Sequence, residues 1–279
     1  MSQNLSAAYI AQFDAEVKQA YQATSQLRGT VRTRTGVIGS THRFPKMSKG
    51  AATPHVPQSD VTPLGIAHSH ATATLTDWDA PEYTDIFMQQ KVNFDERREL
   101  VQVVSAAIGR RYDQIIIDAM IAASAPNTVS NDVGGTDTNL NVSKLREAAR
   151  KLTAKNVPMQ GRYIAIHANN LEGLLGETQV TSADFNTVKA LVQGEINTFM
   201  GFRFIVLGDR DEGGLPLASN DRTCLAWHMS AVGLAEGIAP RTAIDWIPQK
   251  VSYLVNASFS AGAVAIDDDG IVKITCREA

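Results

Sequence analysis

Cysteine is scarce: Cys224 and Cys276 are the two in a chain of 279 residues. Far apart and without ligand spacing, they argue against a disulfide-stapled scaffold and against the common zinc motifs. Two reduced thiols of a protein folded in a cytosol are expected, with one bridge open if geometry brings them together. The local signatures of nucleotide, hydrolase and redox chemistry are missing too: there is no G-x-G-x-x-G, P-loop, G-x-S-x-G or C-x-x-C. No uninterrupted apolar run reaches about 18 residues, so no membrane span is expected. The opening MSQNLSAAYIAQFDAEVKQAY lacks a basic start followed by an apolar block, so a secretory signal is not expected either. No internal repeat is visible. One further absence is local: no acidic residue occurs between Glu16 and Asp60.

What is present is ordinary in bulk. Apolar residues make up 44% and charged residues 20%, so wholesale disorder is not expected. The length suits one large domain or two smaller ones, with a core that needs no staples. A formal charge of −3 gives no global attraction to nucleic acid or to an anionic membrane.

The texture changes along the chain. Leu5, Tyr9, Phe13, Val17, Ala20, Tyr21 and Leu27 form a helical stripe that Gly29 ends. Residues 30–80 differ completely. TVRTRTGVIGSTHRF is rich in Thr and Val, and PKMSKGAATPHVPQSDVTPLG holds four prolines without apolar periodicity. In IAHSHATATLTDW, His70, Thr72, Thr74 and Thr76 alternate with Ala71, Ala73 and Leu75, as in a strand with one solvated face. Two such arms around a Pro/Gly tip predict a long hairpin with little core of its own, which must lie on something else.

The strongest helix signal runs from Phe94 to Ala123. Asn93 with Glu96 fits a capping box, and Asp95, Glu96 and Glu99 suit the positive end of the helix dipole. Thirty residues would span roughly 45 Å, with Gly109 a place to bend and Pro126 a stop. Asn141 and Ser143 open a further helix. Beyond residue 157 helix and strand signals alternate: strands at Tyr163–His167 and Phe202–Leu207, and short helices in LEGLLGE and SADFNTVKALVQGE. DRDEGGLP reads as a loop and TCLAWHMSAVGLAEG as an apolar segment. Long strands follow around Gly262, with a turn at Asp267-Asp268-Asp269-Gly270. Gly194 and Gly201 mark structural turns into the Phe202 strand. The expected class is α+β.

Candidate chemistry is thin. His68 and His70 share a strand face and His55 lies nearby, yet no cysteine or carboxylate completes a metal site, so a solvated face accounts for them. The Asp267–Asp269 run reads as a polar turn rather than a calcium loop. GDRDEGG at 208–214 reads as a flexible surface loop. His167 and His228 follow apolar runs and read as satisfied groups near the core. No catalytic residue, cofactor or metal is assigned.

Charge distribution is more informative. Lys18, Arg28, Arg32, Arg34, Arg43, Lys46 and Lys49 fill the stretch without acids, and Asp77, Asp79, Glu82, Asp85, Asp95, Glu96 and Glu99 follow. A basic arm binding DNA is one reading, but Phe44 and Trp78 are its sole stacking groups and no nucleic-acid motif accompanies it. The other reading sets the basic arm of one subunit on the acidic stretch of the next. The near-neutral total favours this one, since self-complementary charge orients assemblies.

Taken in order, five passages resemble one family: FDERRELVQVVSAAIGRRYDQIIIDAM, VPMQGRYIAIHANNLEGLL, LVQGEINTFMGFRFIVLGD, LAWHMSAVGLAEG and SAGAVAIDDDGIVKI. They look like the major capsid proteins of tailed double-stranded-DNA bacteriophages, the Hong Kong 97 capsid fold. The resemblance implies an N-terminal arm at 1–29 and an extended β-hairpin loop at 30–80. It implies a peripheral domain at 81–130 and 241–262 with spine helix 94–123, and an axial α/β domain at 131–240 and 263–279. Arg28, Arg32, Arg34, Arg43, Lys46 and Lys49 would then contact Asp77, Asp79, Glu82, Asp85, Glu96 and Glu99 of a neighbour. It further implies self-assembly in hexamers and pentamers around double-stranded DNA, within a virion built in the host bacterial cytoplasm. Partners would be a portal, a decoration protein where one exists, and a separate scaffolding protein, because residues 1–29 alone precede the hairpin unless a leading segment has been removed. Lys46 and Lys49 lie near the hairpin tip without a pattern that places an asparagine and an acid beside them, so cross-linking is not inferred. An encapsulin-like nanocompartment is the nearest alternative, and a DNA-binding oligomer using 28–49 is the alternative from another class.

Overall fold

The computed structural model describes residues 24–177 and 198–278, apart from 56, 59, 62, 90, 92–94, 125 and 211. In chain order the strands and helices are β1 (Arg32–Arg34), β2 (Thr41–Met47), β3 (His68–Thr74), β4 (Thr76–Asp85), α1 (Ile86–Gln89) and α2 (Glu96–Ile121). Next come β5 (Asn127–Val129), α3 (Val142–Ala154), β6 (Arg162–His167), α4 (Ala168–Leu175), β7 (Thr198–Phe199) and β8 (Phe202–Leu207). The chain closes with β9 (Leu217–Ala218), β10 (Asp221–His228), β11 (Val232–Ile247), β12 (Ser252–Ala265) and β13 (Ile271–Arg277). One sheet has the order β1-β11-β12-β4 and a second the order β5-β13-β10-β6-β8-β7, with β9 beside β10; β2 and β3 pair separately.

The long helix forms because its apolar residues repeat at fourfold spacing. Val104, Ile108, Tyr112, Ile116 and Met120 are all buried. This stripe packs on the face of β12 that carries Val255, Ala257, Phe259 and Ala261, and Tyr112 stacks on Phe259 with 4.4 Å between ring centroids. Asp95 occupies the N-cap; Asn93, expected in a capping box, lies outside the described residues. Gly109, expected as a bend, serves as a crossing point: a Cβ there would sit 2.9 Å from the backbone nitrogen of Ser25.

Four residues on, Asp113 holds the crossing segment. It is fully buried, and it accepts hydrogen bonds from the Ser25 hydroxyl and from the backbone N–H groups of Gln26 and Leu27. Its fourth partner is Arg210, at 2.9 Å and nearly as buried. The loop at 208–214, expected as a flexible surface loop, is therefore pinned to the middle of α2. Arg111 reaches Glu212 at 2.8 Å, and the Gly213 N–H donates to Gln114 at 2.8 Å. A buried carboxylate needs such compensation, which is why the loop carries Arg210.

The helix expected at Asn141 is present, and the Asn141 side chain accepts from the Lys144 N–H at 2.7 Å. His167 caps α4 in the same way, accepting from the Asn169 N–H through Nδ1. It is buried, as its position after an apolar run suggested. The apolar segment at 223–237 divides between the end of β10 and the start of β11, with a 3-10 turn at Met229–Ala231 between them. The turn expected at Asp267–Gly270 is also observed. Gly201 adopts φ +82 in the tight turn between β7 and β8, as its assignment requires; Gly194 lies outside the described residues.

The β2–β3 hairpin has alternating faces. Phe44 and Ala73 are buried against Ala235, with Val37, Leu75, Val264 and Ile266 around them. Three glycines in the sheet make room for this seat. A Cβ at Gly233 would meet the Phe44 ring at 2.7 Å, one at Gly237 would meet Leu75 at 2.8 Å, and one at Gly262 would meet the Thr74 carbonyl oxygen at 1.9 Å. Backbone therefore lies directly on backbone where the hairpin crosses its own sheet.

Candidate assembly surfaces

Twelve charged residues were expected at contacts between subunits, and the structure sorts them by whether their own chain already uses them. Arg28 is used. Its guanidinium makes two hydrogen bonds to buried Glu236, at 2.7 and 2.9 Å, and stands over the Tyr112 ring at 5.3 Å. That pairing holds the Arg28 pKa above its ordinary value, and burial pushes the Tyr112 phenol up, with Glu236 adding to it. Arg28, expected in the basic contact set, is thus engaged within its own subunit. Lys46 is used as well, pairing with Asp267 at 2.9 Å. The neighbouring carboxylates of that turn are held by Ser124 to Asp268 at 2.7 Å and by Lys155 to Asp269 at 3.0 Å, so the acidic turn ties three elements together.

Arg32 lies over the Phe44 ring at 5.9 Å. Arg34, Arg43 and Lys49 are exposed and make no ion pair among the described residues. On the acidic side, the expected continuous stretch is divided. The β4–β12 register sets Asp77 and Asp79 opposite Ser260 and Ser258, and Glu82 opposite Val255. Val255 faces α2, so Glu82 does too, while Asp77 and Asp79 project from the opposite face. Asp85 accepts from the Phe87 N–H at 2.7 Å. Glu96 and Glu99 stand in the first turn of α2. Asp77 and Asp79 therefore lie on a different face of β4 from Glu82.

Away from α2, the outer face of the first sheet forms a shallow trough of about 260 Å³ whose lining includes Asp77, Asp79, Ile238, Asn256 and Ser258. Asp77 and Asp79 make no ion pair among the described residues, and the Asn256 side-chain oxygen lacks a hydrogen-bond partner. The hairpin presents a second bare face: Thr41, Arg43, Pro45, Met47, His68, His70, Thr72 and Thr74 are all exposed.

A buried polar cluster that sequence reasoning did not find lies between β6, β10 and the C-terminal residues. Arg222 makes a bidentate pair with Glu278, and His167 Nε2 lies 3.0 Å from Asp209. Burial alone would raise the Glu278 carboxyl, but hydrogen bonds from Arg222 and Asn169 outweigh it and hold the group below the usual range. The nearest sequence signal was His167 itself. Cys224 and Cys276 are both buried free thiols, one step apart diagonally across β10 and β13.

The described residues thus form a two-sheet subunit with a seated hairpin and a long helix. The profile of the phage capsid protein family matches residues 5–278. The chain belongs to that family, and its role is that of a structural major capsid protein. Its fold is the Hong Kong 97 capsid fold, as the resemblance implied. The capsid of cyanophage P-SCSP1u superimposes with a TM-score of 0.76 at 16% identity, covering 100% of this chain and 96% of that one. The head of Helicobacter pylori bacteriophage KHP40 gives 0.78 at 11% identity, covering 98% of each chain. Mycobacterium phage Che8 gives 0.71 at 16% identity, covering 95% and 97%. A comparison with curated protein sequences finds no match.

Proposed function

We propose that this chain is the repeating unit of an icosahedral head shell that encloses phage double-stranded DNA. Copies associate in hexamers and pentamers, in the host bacterial cytoplasm, with a separate scaffolding protein and a portal. The supporting observation is that Arg43, on the outer face of the hairpin, and Asp77 and Asp79, on the outer face of the sheet, are exposed and make no ion pair among the described residues. Surfaces that are complementary but not self-complementary give head-to-tail contacts, which close into rings when the rotation allows. In this reading 1–29 is an arm, 30–80 the loop reaching over a neighbour, 81–130 with 241–262 the peripheral domain, and 131–240 with 263–279 the axial domain. No catalytic step is assigned to it.

Sedimentation after nuclease digestion tests the reading. Shell subunits stay particulate once nucleic acid is removed, whereas an oligomer held together by DNA falls apart. Reversing Arg34 and Arg43 to glutamate is expected to abolish particles and leave a folded subunit. Normal particles from that variant would refute the charge pairing.

A further inference from the structure

Cys224 and Cys276 contribute to none of the exposed surfaces, yet they are placed for chemistry with each other. Cys224 lies opposite Ile274 in the β10–β13 register, and Cys276 is the next residue of β13 on that face. Both thiols are free and fully buried, and each is within hydrogen-bonding reach of the other. Their surroundings differ. Cys224 Sγ lies 3.2 Å from Asn170 Oδ1, an acceptor for its proton. Beside Cys276 stands a buried cation: Lys144, on α3, donates through Nζ to the Thr275 carbonyl at 3.0 Å and also to the Thr138 carbonyl. The Cys224 hydrogen bond and the Lys144 ammonium outweigh burial and hold the Cys276 thiol below its ordinary value. That same bond, with burial, pushes the Cys224 thiol up. Cys276 is thus the readier nucleophile of the two.

We propose that Cys224 and Cys276 are a modification site, oxidised by hydrogen peroxide to an intrachain disulfide that ties the end of β13 to β10. The Cys276 thiolate attacks one peroxide oxygen: an S–O bond forms and the O–O bond breaks. The leaving hydroxide takes up the proton that Cys276 has shed and becomes water. The Cys224 sulfur then attacks the resulting sulfenic acid. An S–S bond forms, the S–O bond breaks, and hydroxide leaves with the Cys224 proton as a second water. Two electrons pass from the thiols to the peroxide.

The end of the strand supplies access and slack. β5 covers the outer edge of β13 from Val272 to Ile274. Beyond it, backbone bonds to the Thr138 and Asn220 carbonyls hold Arg277 and Glu278, with their side chains paired to Asp221 and Arg222. Local opening of that stretch exposes Cys276. Diagonal neighbours have Cα atoms about 7–8 Å apart and a disulfide needs about 7 Å or less, so closure requires a shift of about 1 Å. A cytosol keeps such thiols reduced, so the bridge forms in an oxidising medium. This chemistry needs one chain alone and does not depend on the capsid reading.

Intact mass of the folded full chain tests this. After excess hydrogen peroxide, then unfolding in iodoacetamide, the monomer should carry no alkylated cysteine and weigh about 2 Da less than the reduced, unalkylated chain. A thiol reductant should restore both alkylation sites. The bridge should raise Tm by about 4–16 °C over the reduced chain. Cys224→Ser should stop at the sulfenic acid, trapped by dimedone on Cys276, whereas Cys276→Ser should give no dimedone adduct. Two alkylated cysteines after peroxide, a gain in mass, or a disulfide between chains would overturn the site. An unchanged Tm in the bridged chain would overturn the tie between β10 and β13. Dimedone on Cys224 in the Cys276→Ser variant would overturn the assignment of Cys276 as the nucleophile.

Discussion

Replacing Gly262 with alanine tests how the hairpin is held. The new Cβ would lie 1.9 Å from the Thr74 carbonyl oxygen and 2.6 Å from its carbon, where contacts under 3.0 Å are essentially never found. Both atoms are backbone, so no side-chain rotation relieves the clash, and β3 must withdraw by roughly 1 Å. The withdrawal strains the Leu75 N–H to Ser40 carbonyl bond of 2.8 Å and loosens the Phe44, Ala73 and Ala235 cluster beneath it. Overpacking costs about 1–3 kcal/mol and a weakened hydrogen bond about 1 more, giving about 2–4 kcal/mol. In a domain of this size each kcal/mol shifts Tm by about 2–4 °C. Calorimetry of the unassembled subunit should therefore show a fall of about 4–16 °C, with faster proteolysis between residues 48 and 67. Gly208→Ala, where a Cβ meets nothing within 4 Å, is the control and should stay within about 0.5 kcal/mol. A Gly262→Ala protein that melts and digests like the control would refute the backbone-on-backbone seat.

Other consequences follow from paired charges. Arg28→Glu faces buried Glu236 and should destabilise the free subunit by about 2–4 kcal/mol in denaturant titration, discounted for the half-exposed arginine; Arg43→Glu should leave the midpoint unchanged. Asp113→Ala strands Arg210 and releases residues 25–27, costing about 3–5 kcal/mol and raising amide exchange at Gln26 and Leu27. Because the Glu278 carboxyl is depressed in the folded state, it stabilises above its unfolded value near 4.3. That contribution is lost as pH falls below it through the folded value. Melting scans between about pH 5 and pH 3 should show wild type losing more stability than Glu278→Gln. Equal losses would contradict the Arg222 pairing.

The features legible in the sequence were those written in local spacing. Val104 to Met120 repeat at the helical interval, Asn141 caps at a fixed offset, and the alternation from His70 to Thr74 separates a solvated face from Ala73. The illegible features depend on distant partners. Glu236 lies 208 residues from Arg28, so nothing local marks that arginine as internal. Asp113 looks like any helix carboxylate until Ser25 and Arg210 arrive. Gly262 stood among the expected long strands, but its purpose depends on Thr74 crossing it. Along β11, residues 239–246 are exposed on both faces, and a strand without a buried side has no alternation to read. Acidic residues close in sequence looked like one strip, and the pleat of β4 sends them to opposite sides.

Electron microscopy of the purified protein, expressed alone and then with candidate scaffold genes, tests the central claim most directly. Uniform round shells, whose diameter would give the copy number, are the predicted result; a small monodisperse oligomer under both conditions would contradict it.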